Sequence, residues 1–583
     1  STANVGVLAA PFDIGPVEEI VEISSERDLA EQFGKPNDYN YEYWYTAAQF
    51  LSYGGLLKTV RVDSTSLKNA VSNGTAVKVK NLSEYETTYE GATNTWKYAA
   101  RTSGTKGNSI GIFVTDAGPD QIAVVPAPGS GNDHEYVADE AVSATSGAAG
   151  KVFKYSVVLT VTTVVGDFVP GTTTTVSISG SNQTINVLAW DPTNKKLEIG
   201  MPSGGITGIL ADGQTVTQGS NTCVIASSGI ERRVYIGLNK GSIEFAAADS
   251  ISDTNSTAAA ISSVRSEYAE REYLPGKKWI SFASRPGTSL YAADKGGYRD
   301  ELHVIVLDGD GALTGTPNTL LEKFVAVSKA TDAKSTVGEN NYYANVLKQT
   351  SSYIYWGNHT DETFTVGASS STGDWGTVAA NRSFNLIQSA GPVLSEPDGQ
   401  ELYAGFEGSS VQYQFAGGAD DYTNTSANFS TAYNLVSDAE SIQVDYILSG
   451  PQGSTADAAV AKANAILNIV NTRKDCLAFF SPQRSDIIGQ SDSDIITDRI
   501  LAYFTKLGST SYAVLDAGYK YIYDKYSDVY RYIPCNGDVA GLCLQTTEVA
   551  EPWFSPAGFQ RGILRNAIKL AYTPTTVSYT HLT

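Results

Sequence analysis

SIQVDYILSGPQGSTADAAVAKANAILNIVNTRKDCLAFFSP, residues 441–482, decides the fold. SIQVDYIL reads as a buried strand, and the Gly/Pro-rich SGPQGST then turns the chain. Ala459, Ala463, Ile466, Leu467 and Val470 next fall on one face of a helix, and CLAFFSP begins a second strand. SDSDIITDRILAYFTKLG follows as an amphipathic helix carrying Ile496, Ile500, Tyr503, Phe504 and Leu507, closed by Gly508. Strands alternating with helices imply a largely parallel sheet, and ligands of such sheets sit where strands end. The turn at that place offers Gly450, Gly453, Ser454 and Thr455. A phosphate-binding loop of the Walker kind needs G-x-x-x-x-G-K-[ST], and neither the spacing nor the lysine is here. The stretch therefore reads as a tight turn with a Ser/Thr helix cap, and no nucleotide is expected.

The start of the chain has the same texture. VGVLAAPF is a short apolar strand ending at Pro11. In SSERDLAEQFGKP, Ser25 with Asp28 forms a capping box, Leu29 and Phe33 make the apolar face, and Gly34 with Pro36 stop the helix. YEYWYTAAQFLSYGG is a second helix with Trp44, Ala47, Ala48 and Leu51 on one side, and LLKTVRV is an interior strand. From about residue 64 short strands alternate with Gly, Asn, Asp and Pro turns. Residues 141–232, rich in Thr, Ser, Val and Gly, alternate at period two with turn residues every 8–12 positions, which suits a small antiparallel barrel or sandwich. The expected fold is α/β plus β: a discontinuous inner α/β domain with a mixed, largely parallel sheet, interrupted by antiparallel β-sandwich and β-barrel insertions. The inner domain is assigned to 1–63 and 386–583, a β-rich middle domain to 64–140 and 233–385, and the outer barrel or sandwich to 141–232.

Composition narrows the function. The 583 residues carry 62 acidic against 41 basic side chains, a formal charge of −21, with no basic run to neutralise a phosphate backbone. Nucleic acid is not an expected partner, and the charge reads as a solubility device. No apolar run is long enough to span a membrane, and no secretory signal opens the chain. Met201 is the sole methionine, so the N-terminus is expected to be processed or cut from a longer protein. Cys223, Cys476, Cys535 and Cys543 form no C-x-x-C pair, so no disulfide framework is expected and a reducing compartment is inferred. Four histidines leave little material for a zinc site; His303, in ELHVIVLDGDG, reads as a half-buried strand position. Asp308 to Gly311, DGDG, begins like a calcium loop, but Ala312 stands where a third ligand is needed, so a hairpin turn is expected. No catalytic, cofactor or metal residues are assigned.

YKYIYDKYSDVYRYIP, residues 519–534, packs six tyrosines into sixteen positions. Tyr519, Tyr521 and Tyr523 alternate with Lys520, Ile522 and Asp524, KYSD turns the chain, and VYRYIP returns. The expectation is a structural hairpin with the tyrosine face packed, so that removing the ring of Tyr521 or Tyr523 is costly while Lys520→Ala changes little.

The longer run LDAGYKYIYDKYSDVYRYIPCNGDVAGLCLQTTEVAEPWFSPAGFQRGIL resembles the late α/β domain of the contractile tail sheath proteins of myovirus-type bacteriophages. The tyrosine hairpin, GDVAGL and PWFSPAG occur together in that order. APFDIGPVEEIVEISSERDLAEQFGKP with EYWYTAAQFLSYGG, and RKDCLAFFSPQRSDIIG, agree with the same family. The resemblance is specific toward both ends and vague over the β insertion. It implies a structural subunit, not an enzyme, without cofactor. Subunits of that family form stacked hexameric rings around the tail tube and contract to drive the tube through the host envelope. The implied partners are other copies of itself, the tail tube protein, and the baseplate and tail terminator proteins, with no membrane insertion. The implied location is the virion, with the host cytoplasm during assembly. A carbohydrate-binding adhesin, or the sheath of a related contractile injection system, is the alternative. Against the family pattern, the chain opens directly at STANVGVL and departs after KLAY into TPTTVSYTHLT, before the family's continuation past a helix beginning near Gly562. Terminal arms in sheaths add strands to neighbouring subunits, so a chain without them is expected to fold yet remain monomeric.

Overall fold

The computed structural model describes residues 4–252, 259–274, 276–360, 374–387 and 410–573, and the backbone of 363–364, 394–395 and 401–402. The TPTTVSYTHLT ending lies, past Thr573, outside the described residues.

A six-stranded sheet draws on both ends of the chain, in the order Ile20–Ile23, Leu56–Arg61, Val5–Ala10, Tyr446–Leu448, Leu477–Phe480, Ala513–Leu515. All neighbours run parallel except Ile20–Ile23, which is antiparallel to Leu56–Arg61. Val5–Ala10 lies inside the sheet, with Gly6, Val7 and Leu8 opposite Tyr446, Ile447 and Leu448. Both faces of this strand are covered, which explains its unbroken apolar sequence. Leu8 and Ala10 pack with Trp44, Phe50, Ala540 and Leu544 on one side. Val7 and Ala9 pack with Phe429, Tyr433, Ala463 and Ile466 on the other.

The strand expected over 441–448 is shorter, Tyr446–Leu448. Of the residues before it, Asp445 is tied by its backbone to Val5 and Leu477, and side chains hold the rest. Arg473 donates to the carbonyls of Val436, Asp438 and Ile442, and Asp445 accepts the amide of Val5 at 2.8 Å, across 440 residues of sequence. The helix expected after Ser25 spans Glu26–Phe33: the Ser25 hydroxyl accepts the Asp28 amide, and Asp28 returns a bond to Ser24, one residue short of a true box. Gly34, at φ 82°, ends it.

Helix Tyr41–Ser52 differs more from its sequence pattern. Trp44 to Leu51 are all buried, not one stripe, because helix Asn536–Val549 and the tyrosine hairpin cover its second side. The two helices meet through small residues. A Cβ at Gly537 would stand 2.4 Å from the Thr46 carbonyl oxygen, and one at Gly541 would stand 2.2 Å from the Tyr53 ring. The GDVAGL signal is thus a close helix crossing.

The middle of the chain is antiparallel. Strands Ala149–Val165, Lys196–Gly200, Ser181–Asp191, Thr173–Ile178, Thr215–Gln218 and Asn221–Leu238 pair in that order, and the last closes onto the first. This six-stranded barrel is filled by alternate residues such as Val157, Leu159, Val176, Ile185, Val216 and Val234. Its two long strands bend where the register slips between Ile225 and Ile230. A separate antiparallel sheet, Thr319–Ser328, Glu301–Asp308, Ile110–Asp116 and Ser410–Gln414, packs on a three-stranded sheet through Ala100, Ile112, Val304 and Ile354.

Beside that core His359 lies among Tyr343, Trp356 and Trp375, with its Nδ1 2.5 Å from the Tyr343 hydroxyl. Burial, with the Lys97 charge second, pushes its pKa down from 6.5 to about 4.

Two outcomes follow. Gly541→Ala should lower the unfolding free energy by about 1–3 kcal/mol through overpacking against Tyr53, although alanine is the better helix former; urea denaturation reads it. For His359 the folded-state pKa is depressed, so its stabilisation is present above pH 6.5 and lost as pH falls from 6.5 towards 4. That loss amounts to at most about 3 kcal/mol. Unfolding of the wild type and His359→Gln compared at several pH values should show a shallower acid decline for the variant.

Candidate functional site

The tyrosine hairpin is formed by Tyr519–Asp524 and Val529–Pro534, with Lys569–Leu570 added to its open edge. The alternation read from sequence is present, but the faces are inverted. Lys520, Ile522 and Asp524 point into the protein and are buried. Tyr521 stacks with Tyr530 and Tyr532 on the opposite face, at ring separations of 5.6 and 4.6 Å, under the Lys569 amine. Tyr523 is 48% exposed and Tyr530 57%. Tyr519 alone is buried among Ile487, Ile496 and Ile500, because helix Ser493–Phe504 covers that end of the strand. The expectation of a packed Tyr523 and a dispensable Lys520 is therefore corrected. Lysine carries a long apolar stem, so it can line a core if its amine finds partners.

It finds three. The Lys520 Nζ donates to Gln49 Oε1 at 3.0 Å, to Asp538 Oδ1 at 2.8 Å and to the Arg565 carbonyl at 2.6 Å. The Tyr53 hydroxyl donates to the same Asp538 oxygen at 3.0 Å and accepts the Arg565 amide at 2.9 Å. Burial raises the Asp538 pKa while the Lys520 charge opposes it. One buried ion pair thus joins the helix at 41–52, the hairpin, the helix at 536–549 and the C-terminal segment. At the far end of the hairpin Asp524 accepts from the Tyr45 hydroxyl at 2.7 Å and from Arg531 Nε at 2.8 Å.

The two turns weighed as ligand sites are occupied by the protein itself. In SGPQGST the Thr455 hydroxyl caps helix Ala456–Arg473. Gly450 is held on both sides by Asn536, whose amide oxygen accepts the Gly450 N–H while its nitrogen donates to the Gly450 carbonyl. Sequence reasoning missed Lys462, which lies on the apolar face of that helix and reaches back to the turn. Its amine is buried, donates to the carbonyls of Ser449 and Pro451 at 2.7 and 2.8 Å, and lies over the Tyr43 and Phe429 rings. Burial without a carboxylate partner drives its pKa well below the ordinary lysine value. In DGDG, Asp308 accepts from the amides of Leu313 and Thr314 and the Thr314 hydroxyl, closing the loop between two antiparallel strands. Among the described residues no three His, Cys, Asp or Glu side chains are grouped to hold a metal ion. His303 is buried, not half-buried: its Nδ1 accepts the Ala326 amide, its Nε2 lies 2.8 Å from the Ser284 carbonyl, and burial lowers its pKa.

What the C-terminal segment offers is surface. After helix Asn536–Val549 the chain runs through turns to Lys569–Leu570, and no helix begins at Gly562. Trp553 is 78% exposed and Phe559 fully so, with Val549, Ile563 and Ile568 also open to solvent. Scattered apolar residues on a surface are ordinary; here several fall in one short segment anchored at Arg565.

No family model matches the chain. Three curated proteins do, along nearly all of it. It is 25% identical over 590 residues to the tail sheath protein of Vibrio phage KVP40, covering 97% of this chain and 74% of that one. It is 24% identical over 589 residues to the tail sheath protein of Salmonella phage ViI, covering 97% and 70%. It is 24% identical over 589 residues to the tail sheath protein of Enterobacteria phage T4, covering 98% and 74%. Among solved structures, the sheath tail protein from Listeria innocua aligns at a TM-score of 0.35 with 9% identity, covering 100% of this chain and 63% of that one; so slight a likeness has no bearing on the fold. The three matches each cover at least 97% of the chain. Along nearly its whole length the chain is thus similar to the tail sheath proteins of three bacteriophages.

Lys520→Met leaves Asp538 charged and buried, and should cost about 3–5 kcal/mol of stability. Tyr523→Ala should leave the denaturation midpoint close to wild type. Equal midpoints for both variants would contradict the inverted faces.

Proposed function

We propose that the chain is the structural subunit of a phage contractile tail sheath, a virion component that is not an enzyme. Copies of it assemble as stacked six-fold rings around the tail tube and contract to drive the tube through the host envelope. Its partners are further copies of itself, the tail tube protein, and the baseplate and tail terminator proteins. The carrying observation is the match to three tail sheath proteins over at least 97% of the chain. Among the described residues no helix is long and apolar enough to cross a membrane.

The domain reading belongs to this proposal: an inner α/β domain of 1–63 and 386–583 beside the tube, a middle β-rich domain of 64–140 and 233–385, and an outer barrel insertion of 141–232. The parallel strands pairing across 440 residues support the first part, since an insertion between them leaves the sheet intact. Contraction in such a lattice is a change between two sets of subunit contacts. It requires surfaces that release and re-form, and the apolar side chains of Trp553, Phe559 and Ile563 supply one.

Immunogold labelling of virions with antibody against this chain should decorate the whole tail shaft. Tails assembled with Trp553→Asp combined with Phe559→Asp should lack an ordered sheath in electron micrographs. Label confined to fibres would replace the sheath reading with the adhesin reading; ordinary sheaths built from the double variant would remove this surface from assembly.

A further inference from the structure

Lys329–Asp116 and Lys520–Asp538 are lysine–aspartate pairs with both side chains wholly buried, yet their carboxylates are held differently. Asp116 is fixed in its ionised form: Oδ1 accepts the Gly118 amide at 2.9 Å, and Oδ2 accepts the Ile387 amide at 2.9 Å beside the Lys329 amine. At Asp538 both bonds converge on Oδ1, from the Lys520 amine at 2.8 Å and the Tyr53 hydroxyl at 3.0 Å. Its Oδ2 is buried and has no hydrogen-bond partner. A carboxylate with one bare oxygen in a dry site is costly to keep charged. Burial accordingly raises the Asp538 pKa, which brings the neutral acid within reach.

We propose that Lys520 and Asp538 condense to an intramolecular amide, and that the ion pair is the precursor of a covalent link between the hairpin and the helix at 536–549. The proton of the Nζ–H···Oδ1 bond passes to the carboxyl group, leaving a neutral amine and a neutral acid in contact. The desolvated amine attacks Asp538 Cγ through its lone pair. The Tyr53 hydroxyl stabilises the charge that develops on Oδ1. Oδ2 then departs with two of the three ammonium protons as one water molecule, and the Nζ–Cγ bond remains. No oxidant or reductant enters, and the opposite charges cancel.

The product suits the site better than the pair does. The unpartnered oxygen is gone, Oδ1 stays as an amide carbonyl accepting from Tyr53, and the remaining N–H keeps Gln49 Oε1 as its acceptor. The Arg565 carbonyl loses its donor, but Arg565 is exposed and water replaces it. At Asp116 the two backbone amides hold the charge on the carboxylate, so no condensation is expected there.

Intact-mass spectrometry of the unfolded full chain reads the bond directly. The wild type should weigh one water molecule less than its sequence requires, whereas Lys520→Arg, which cannot condense, should show the full mass of its own sequence. Trypsin should release residues 507–525 and 532–561 as one branched peptide joined through Lys520 and Asp538. In cell-free synthesis sampled over time, Tyr53→Phe should form the link about tenfold more slowly, the worth of one hydrogen bond to a charged group. Full mass in the wild type, loss of water without that branched peptide, a link at Lys329 and Asp116 as well, or a link formed equally fast in Tyr53→Phe would overturn the proposal. Should Lys520→Arg not fold, the wild-type peptide map decides.

Discussion

The Lys520–Asp538 pair is the constraint on which the C-terminal half of the inner sheet's cover depends. Both side chains are fully buried, and a buried pair is stable only while its geometry and remaining hydrogen bonds are satisfied. Here the extra partners come from Gln49, Tyr53 and Arg565, residues more than 500 positions apart at their extremes. The pair thereby sets how the hairpin lies on the helix at 41–52, and that helix crosses the one at 536–549 closely enough to require Gly537 and Gly541. The exposed C-terminal segment hangs from the same node through Arg565. The same node thus holds the base of a segment that carries several exposed apolar side chains.

Much of this was legible in the sequence. The strand–turn–helix–strand at 441–482 and the cap at Ser25 gave local signals, and the period-two run over 141–232 pointed to a small antiparallel barrel, which is present and closed. The inversion of the hairpin was not legible. Period-two alternation assigns residues to two faces, but it cannot say which face is inside when both carry long amphipathic side chains. Aromatic pairing favours tyrosine as the inner residue, whereas the inner face here needs a cation for Asp538. Lys462 escaped for the same reason: its partners are the carbonyls of a turn, and a turn's carbonyls leave no sequence signature. The all-round burial of the helix at 41–52 was hidden because its second cover comes from the opposite end of the chain.

The pairing of strands 5–10 and 446–448 has a consequence for construction. A parallel sheet closed by the two ends of a chain tolerates large additions between them, and the closed barrel carries its own core, separate from that of the sheet. Such a core can vary in shape while the sheet keeps its own packing.

The central claim is that the two ends of the chain form one cooperative unit locked by the Lys520–Asp538 node. Native-state hydrogen exchange measures it directly. Amides of strands 5–10 and 446–448 and of helices 41–52 and 536–549 should exchange through a single opening with one free energy and one denaturant dependence. That common opening should become easier, for all four segments together, in Lys520→Met. Exchange of residues 5–52 through a separate, lower-energy opening, untouched by that substitution, would contradict the account.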